Sequence, residues 1–130
     1  MLRAASIALA ALASLASVPA AAGPLPSIPG SCTRSAITWL GQRLTDGANG
    51  PPIAGSGSAV GFANGGYQVS YDEIPAINEA RRNDPVVICL VRLPKNCPPG
   101  DARGRVYATV DLRSLRLWVL PDSEHSCGGA

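Results

Sequence analysis

Residues that do chemistry are scarce in this sequence. There is one histidine, His125, and aromatic side chains make up 5% of the chain. Any Ser-His-Asp or His-metal mechanism would have to use that one residue, close to the C-terminus. Charge of one sign is also missing: the formal net charge is +2, and Arg3 at the N-terminus supplies part of it. Such a balance offers no electrostatic case for nucleic acid or an anionic membrane surface. No two cysteines lie closer than Cys89 and Cys97, so the C-x₂₋₄-C spacing of a zinc site is absent. The glycine-rich stretch Gly55-Ser56-Gly57-Ser58 has Val60 where a dinucleotide-binding loop needs glycine. It also lacks the Lys-Ser/Thr of a phosphate-binding loop and the pattern of a nucleophile elbow. No cofactor motif is present. The single long apolar run is N-terminal, and it is shorter than the roughly 20 residues a membrane-spanning helix needs.

That N-terminal run has the order of an export signal. Arg3 supplies a positive n-region, Ala4 to Val18 are small or apolar without charge, and Pro19 precedes Ala20-Ala21-Ala22. This predicts a signal peptide over residues 1–22, cleaved before Gly23. The mature protein is then periplasmic or secreted, with no membrane span. Residues 23–31 contain three prolines and are expected to form an extended, flexible lead-in. Residues 32–130 remain as a single β-rich domain. A domain of this size buries only roughly 60–70% of its unfolded surface, so crosslinks would help it fold. Four cysteines in a small exported chain predict two disulfides. If residues 104–120 form a hairpin turning near 112–115, Cys97 and Cys127 lie at matched distances on either side of the turn. That favours Cys97–Cys127 and leaves Cys32–Cys89.

Strand signals recur along the domain. Residues 36–44 carry Ile37, Leu40 and Leu44 at helical spacing, but Ile37, Thr38 and Trp39 suit a strand and Gly41 weakens a helix, so a strand is expected. Residues 45–57 read as loop. Residues 58–62 and 67–71 flank Ala63-Asn64-Gly65-Gly66 as a hairpin, with Val60, Phe62, Tyr67, Val69 and Tyr71 predicted on one apolar face. Pro75 opens a short helix with Ile77 and Ala80 inward. Residues 86–92 are apolar at every position but the last, which predicts a central strand covered on both faces. A last hairpin, 106–111 with 115–120, is expected to bury Tyr107, Val110, Leu117 and Val119. The polar tail after it is loose unless Cys127 ties it down. Together these elements predict a mainly β fold: a small antiparallel β-barrel or sandwich of about six strands, stapled by disulfides.

Four residues could bind a ligand. Arg103 and Arg105 flank Gly104 and could hold a small anion between two guanidiniums. The plainer reading makes them surface arginines with Asp101 as partner. Asp122 and His125 could serve a small hydrolase together with a serine, or sit on a solvated acidic loop. A carboxylate pair for acid–base work would have to come from Asp72, Glu73, Asp84, Asp101, Asp111, Asp122 and Glu124.

The runs GSGSAVGFANGGYQVSYDEIPAI, VVICLVRLPKNCPPGDARGRVY and LPDSEHSCGGA are similar to small exported proteobacterial proteins of unassigned function. The resemblance spans most of residues 31–130 and implies export. In format alone the chain also resembles the periplasmic lysozyme inhibitors, which are small disulfide-bonded β-barrels. The expected function is a non-enzymatic interaction module that binds an envelope or secreted protein through loops 45–57 and 93–103.

Overall fold

The structure is a computed structural model that describes residues 21–129. The expected leader lies outside the described residues except for Ala21 and Ala22. Six strands form one antiparallel sheet: β1 (Cys32–Gln42), β2 (Ser58–Phe62), β3 (Tyr67–Val69), β4 (Pro85–Arg92), β5 (Val106–Asp111) and β6 (Leu117–Pro121). Their order across the sheet is β3-β2-β1-β4-β5-β6. The sheet curls into a half-barrel, and the helix α1 (Pro75–Glu79) packs against it with Ala76 and Ile77 buried. Pro75 opens that helix, where its missing N–H is not needed.

The curl begins in β1. The N-terminal half of this long strand, Cys32 to Ala36, pairs with β4, and its C-terminal half, Ile37 to Gln42, pairs with β2. The register slips between Ile37 and Trp39, so Thr38 is an extra residue. A bulge of this kind bends the strand and shifts its side-chain alternation by one. Ile37 and Leu40 therefore both face the core, where Leu40 packs on the buried cluster. The helical spacing of those two residues is thus the signature of a bulged strand.

The core contains Ile37, Val60, Phe62, Val86, Ile88, Leu90, Tyr107 and Trp118, together with the helix residues Ala76 and Ile77. Burying each large aliphatic of this set stabilises the fold by about 1.5–3 kcal/mol. Three expectations about sidedness are corrected. β4 is covered on one face only: Val86, Ile88 and Leu90 are buried, but Val87 and Cys89 are half-buried and Val91 is exposed. A single sheet leaves its outer face uncovered, and Val87 is flanked there by Val110 of β5, itself opposite Leu117 of β6. In the last hairpin Tyr107 is buried as expected, but Leu117 and Val119 are exposed, Val110 is half-buried, and Trp118 takes the inward place. In the first hairpin Val60 stands opposite Gln68, and Gly61 opposite Tyr67. The four-residue connection sets that register, so Gln68 shares the inner face with Val60, and Tyr67 and Tyr71 turn outward.

Gln68 is almost fully buried, and every hydrogen-bonding valence of its amide is used. Its Nε2 donates to the carbonyls of Tyr107 (2.7 Å) and Leu120 (3.1 Å). Its Oε1 accepts from Thr109 Oγ1 (2.6 Å) and Trp118 Nε1 (2.9 Å). One side chain on β3 thereby ties the first edge of the sheet to β5 and β6 and holds the curl closed.

Both disulfides have the expected pairing. Cys32 and Cys89 face each other across β1 and β4 with Cα atoms 4.0 Å apart, and Cys97–Cys127 joins the chain on either side of the β5–β6 hairpin. Residues 23–31, which turn at Ile28 to Ser31, are fastened to the sheet. Gly23 N donates to Arg34 O and Gly30 N to Leu90 O, Asn64 Nδ2 donates to Gly23 O, and Pro26 is buried.

Candidate functional site

The four residues singled out from the sequence lie around the base of the last hairpin. Arg103 forms a two-pronged pair with Asp101, Nε to Oδ1 and Nη2 to Oδ2 both at 2.9 Å. Asp101 also accepts from Gly128 N (3.0 Å), and Cys127 N donates to Arg103 O (2.8 Å). The Arg103 guanidinium, with the help of the backbone N–H groups of Gly128 and Arg103, holds the Asp101 carboxyl well below the usual carboxylate range. Asp122 Oδ1 accepts from Gly104 N (2.8 Å), and Asp122 N donates to Arg105 O (2.9 Å). These contacts make a clasp that binds the tail to loop 97–105. The fork of Arg103 is spent within it, and Arg105 has no ion-pair partner among the described residues. His125 is exposed, and its backbone N–H donates to Ser123 Oγ (3.3 Å). Beside the clasp lies a shallow hollow of about 420 Å³ whose cations are Arg92 and Lys95.

Of the seven carboxylates considered for acid–base work, the fold brings together Asp84 and Asp111, both buried. Burial pushes the Asp84 carboxyl up. Hydrogen bonds from Arg113 Nε (2.8 Å) and from Arg81 N (2.8 Å) outweigh it and hold the group below its ordinary value. Arg113 also donates to Glu79 O (2.8 Å), so this cluster latches the β5–β6 turn onto the end of α1.

A second constellation, absent from the sequence reading, lies on the outer face of β1, β2 and β3. Three rows cross these strands on that face. Trp39 stands opposite Gly61, and Gly61 opposite Tyr67; Gly41, Ala59 and Val69 form the next row. In the third, Arg43 N donates to Gly57 O (2.8 Å), and alternation places Tyr71 beside Gly57. The middle strand thus presents only glycine and alanine outward, between aromatic and cationic neighbours.

The glycines explain how the aromatics lie. Gly41 has ordinary backbone angles, yet a Cβ there would sit 2.7 Å from Trp39 Cζ2 and 3.2 Å from Cη2. The indole therefore rests against the bare backbone of Gly41, toward the middle row, where Ala59 and Val69 are buried. Trp39 nonetheless remains 46% exposed. At Gly61 a Cβ would make only ordinary contacts, with Trp39 Cβ at 3.7 Å and Thr38 Oγ1 at 3.9 Å, so the fold itself does not require a glycine between Trp39 and Tyr67.

The polar groups of this face are organised at its far end. Arg43 Nη1 pairs with Glu124 Oε1 (3.0 Å), its Nε donates to Ser56 O (2.7 Å), and its guanidinium lies 4.2 Å from the centre of the Tyr71 ring. Burial raises the Tyr67 phenol above its usual value; the negative charge of Glu124 adds to this, and Arg43 opposes it. Tyr67 thus stays a neutral hydroxyl at physiological pH, able to donate and accept. The sequence signal for this face was the alternation of small residues at 57, 59 and 61 against tyrosines at 67 and 71. It is readable only once the hairpin register is known.

Comparison with protein-family models, with curated proteins and with solved structures finds no match to this chain.

Proposed function

We propose that this protein is a non-catalytic binding module of an oxidising, extracytoplasmic compartment, and that it holds its ligand on the outer face of β1–β3. The observation that carries this reading is the row Trp39–Gly61–Tyr67. Two large aromatics stay exposed on either side of a glycine that no backbone angle or close contact demands. Aromatic side chains combine a large apolar surface with few rotatable bonds, which makes them effective binding anchors. Two disulfides fit the compartment, and the sequence of residues 1–22 fits delivery to it. The loops at 45–57 and at the C-terminal tail enter this reading as the frame around the face, through Ser56 and Glu124.

The test is site-specific photocrosslinking in cells that express the full chain. A photoreactive phenylalanine analogue at position 67 is expected to give a discrete adduct with an envelope or secreted component. The same analogue at position 117, on the aliphatic outer face, serves as the control. Equal and diffuse labelling from both positions, or none from position 67, would defeat the proposal.

A further inference from the structure

We infer that the Trp39–Gly61–Tyr67 row binds an uncharged saccharide. One sugar ring stacks on the exposed face of the Trp39 indole, and the next lies over Gly61 toward Tyr67. This inference rests on the reading of the row as a ligand site and names the ligand class.

Three features of the face select that chemistry. The first is the attitude of the indole. Laid against Gly41, it offers a flat apolar plate and not an upright wall. A pyranose ring has a flat C–H face to match such a plate and a rim of hydroxyls around it. A proline-rich peptide, in contrast, is gripped between standing aromatic ridges. The second is charge. The charged groups at the end of these three rows, Arg43 and Glu124, are paired with each other at 3.0 Å. What remains is ring surface and neutral hydroxyls, Tyr67 on one side and Thr38 on the other, the latter with Oγ1 3.9 Å from the empty Cβ position of Gly61. That surface complements a ligand rich in hydroxyls and free of charge, and gives a phosphate, a carboxylate or a basic peptide nothing to pair with. The third is position. In the middle of the row β2 has β1 on one side and β3 on the other, so a ligand over Gly61 meets ring surface and side chains and no open backbone edge. Two strand spacings separate Trp39 from Tyr67, roughly 9.6 Å, which leaves room for two rings in line.

The structure also supplies the decisive variant. Gly61→Val fills the gap without a backbone conflict, since the φ of Gly61 is ordinary and a Cβ there meets only loose contacts. Valine also suits a strand better than glycine does. The experiment uses the purified exported protein with both disulfides intact, titrated with neutral tetrasaccharides (cellotetraose, chitotetraose and maltotetraose) at millimolar concentrations. The readout is the pair of indole N–H resonances. Binding by at least one of the three is expected to move the Trp39 resonance and leave that of buried Trp118 in place. Gly61→Val, with an unchanged circular-dichroism spectrum and melting temperature, is expected to weaken that binding roughly tenfold or more, and Trp39→Ala to abolish it.

The inference is overturned if none of the three sugars moves the Trp39 signal, if a proline-rich peptide moves it while the sugars do not, or if Gly61→Val folds and binds as the parent does. The broader reading is judged separately. A discrete adduct from position 67 with no saccharide response would leave a binding module with another ligand, and the loss of both would remove the two together.

Discussion

Two seams fasten this fold, one across the curled sheet and one at the C-terminal tail, and they differ in surroundings more than in the number of bonds. Inside, Gln68 of β3 makes four hydrogen bonds to β5 and β6 with no access to water. Outside, Asp101 accepts from the backbone and side chain of Arg103 and from Gly128, and the Cys97–Cys127 bridge fastens the same tail. The contribution of a hydrogen bond depends on what its loss leaves behind. Around Gln68 a deletion strands Trp118 Nε1 and Thr109 Oγ1 in an apolar interior, where each unsatisfied group costs about 1–3 kcal/mol. Around Asp101 water replaces whatever is removed.

The sharpest way to break this comparison is Gln68→Ala. It is expected to destabilise the protein by about 3–5 kcal/mol, from stranded partners and the cavity together, as read by urea unfolding followed through Trp118 fluorescence. A loss below about 1 kcal/mol would mean that the buried seam is no stronger than an exposed one. Replacing both Cys97 and Cys127 with serine should cost less, about 2–4 kcal/mol, mainly by freeing the unfolded chain. Because the two seams share no partners, the combined variant should show the sum of the separate losses to within about 0.5 kcal/mol.

Asp84→Asn tests an intermediate case, a buried carboxylate whose Arg113 partner is partly exposed. It is expected to cost about 1–3 kcal/mol, since hydrogen bonds to a charged group are lost while the neutral amide still fills the space. Amide hydrogen exchange should show the loosening concentrated at the β5–β6 turn.

Asp101→Asn should give the smallest change in melting temperature of the four. Its signature lies in acid. The folded carboxyl is held below its unfolded value of about 3.9. The clasp therefore contributes fully above about pH 4 and fades only as the pH falls further, through the folded value. Carbon-detected NMR of the parent should show the Asp101 carboxylate still ionised at a pH where exposed carboxylates have titrated. An ordinary titration curve would remove the clasp as an electrostatic element.

The same contrast between inside and outside explains which parts of the protein could be read from its sequence. The number of strands, the disulfide pairing and the short helix follow from local signals: turn residues, a proline at a helix start, and cysteines placed evenly about a hairpin. The sidedness of the strands was not legible. Trp118 displaced Leu117 and Val119 from the interior because Gln68, some 50 residues earlier, offers its indole N–H an acceptor there. A hydrophobic count alone prefers the aliphatics. Gln68 itself reads as a surface residue, and only the hairpin register turns it inward. The aromatic face of β1–β3 was hidden for the same reason. Its residues come from positions 39, 61 and 67, and they share a row only after the bulge at Thr38 and the turn at 63–66 have set the alignment.

By itself, then, the sequence determined that this chain makes short paired strands joined by tight turns, with sulfur bridges supplementing a small interior. Those properties depend on neighbours along the chain and on composition. Which face of each strand is buried, which polar groups satisfy one another, and which aromatics remain in contact with solvent were decided by the tertiary structure. A side chain's partner across a sheet is set by register, and a one-residue shift exchanges the inside for the outside.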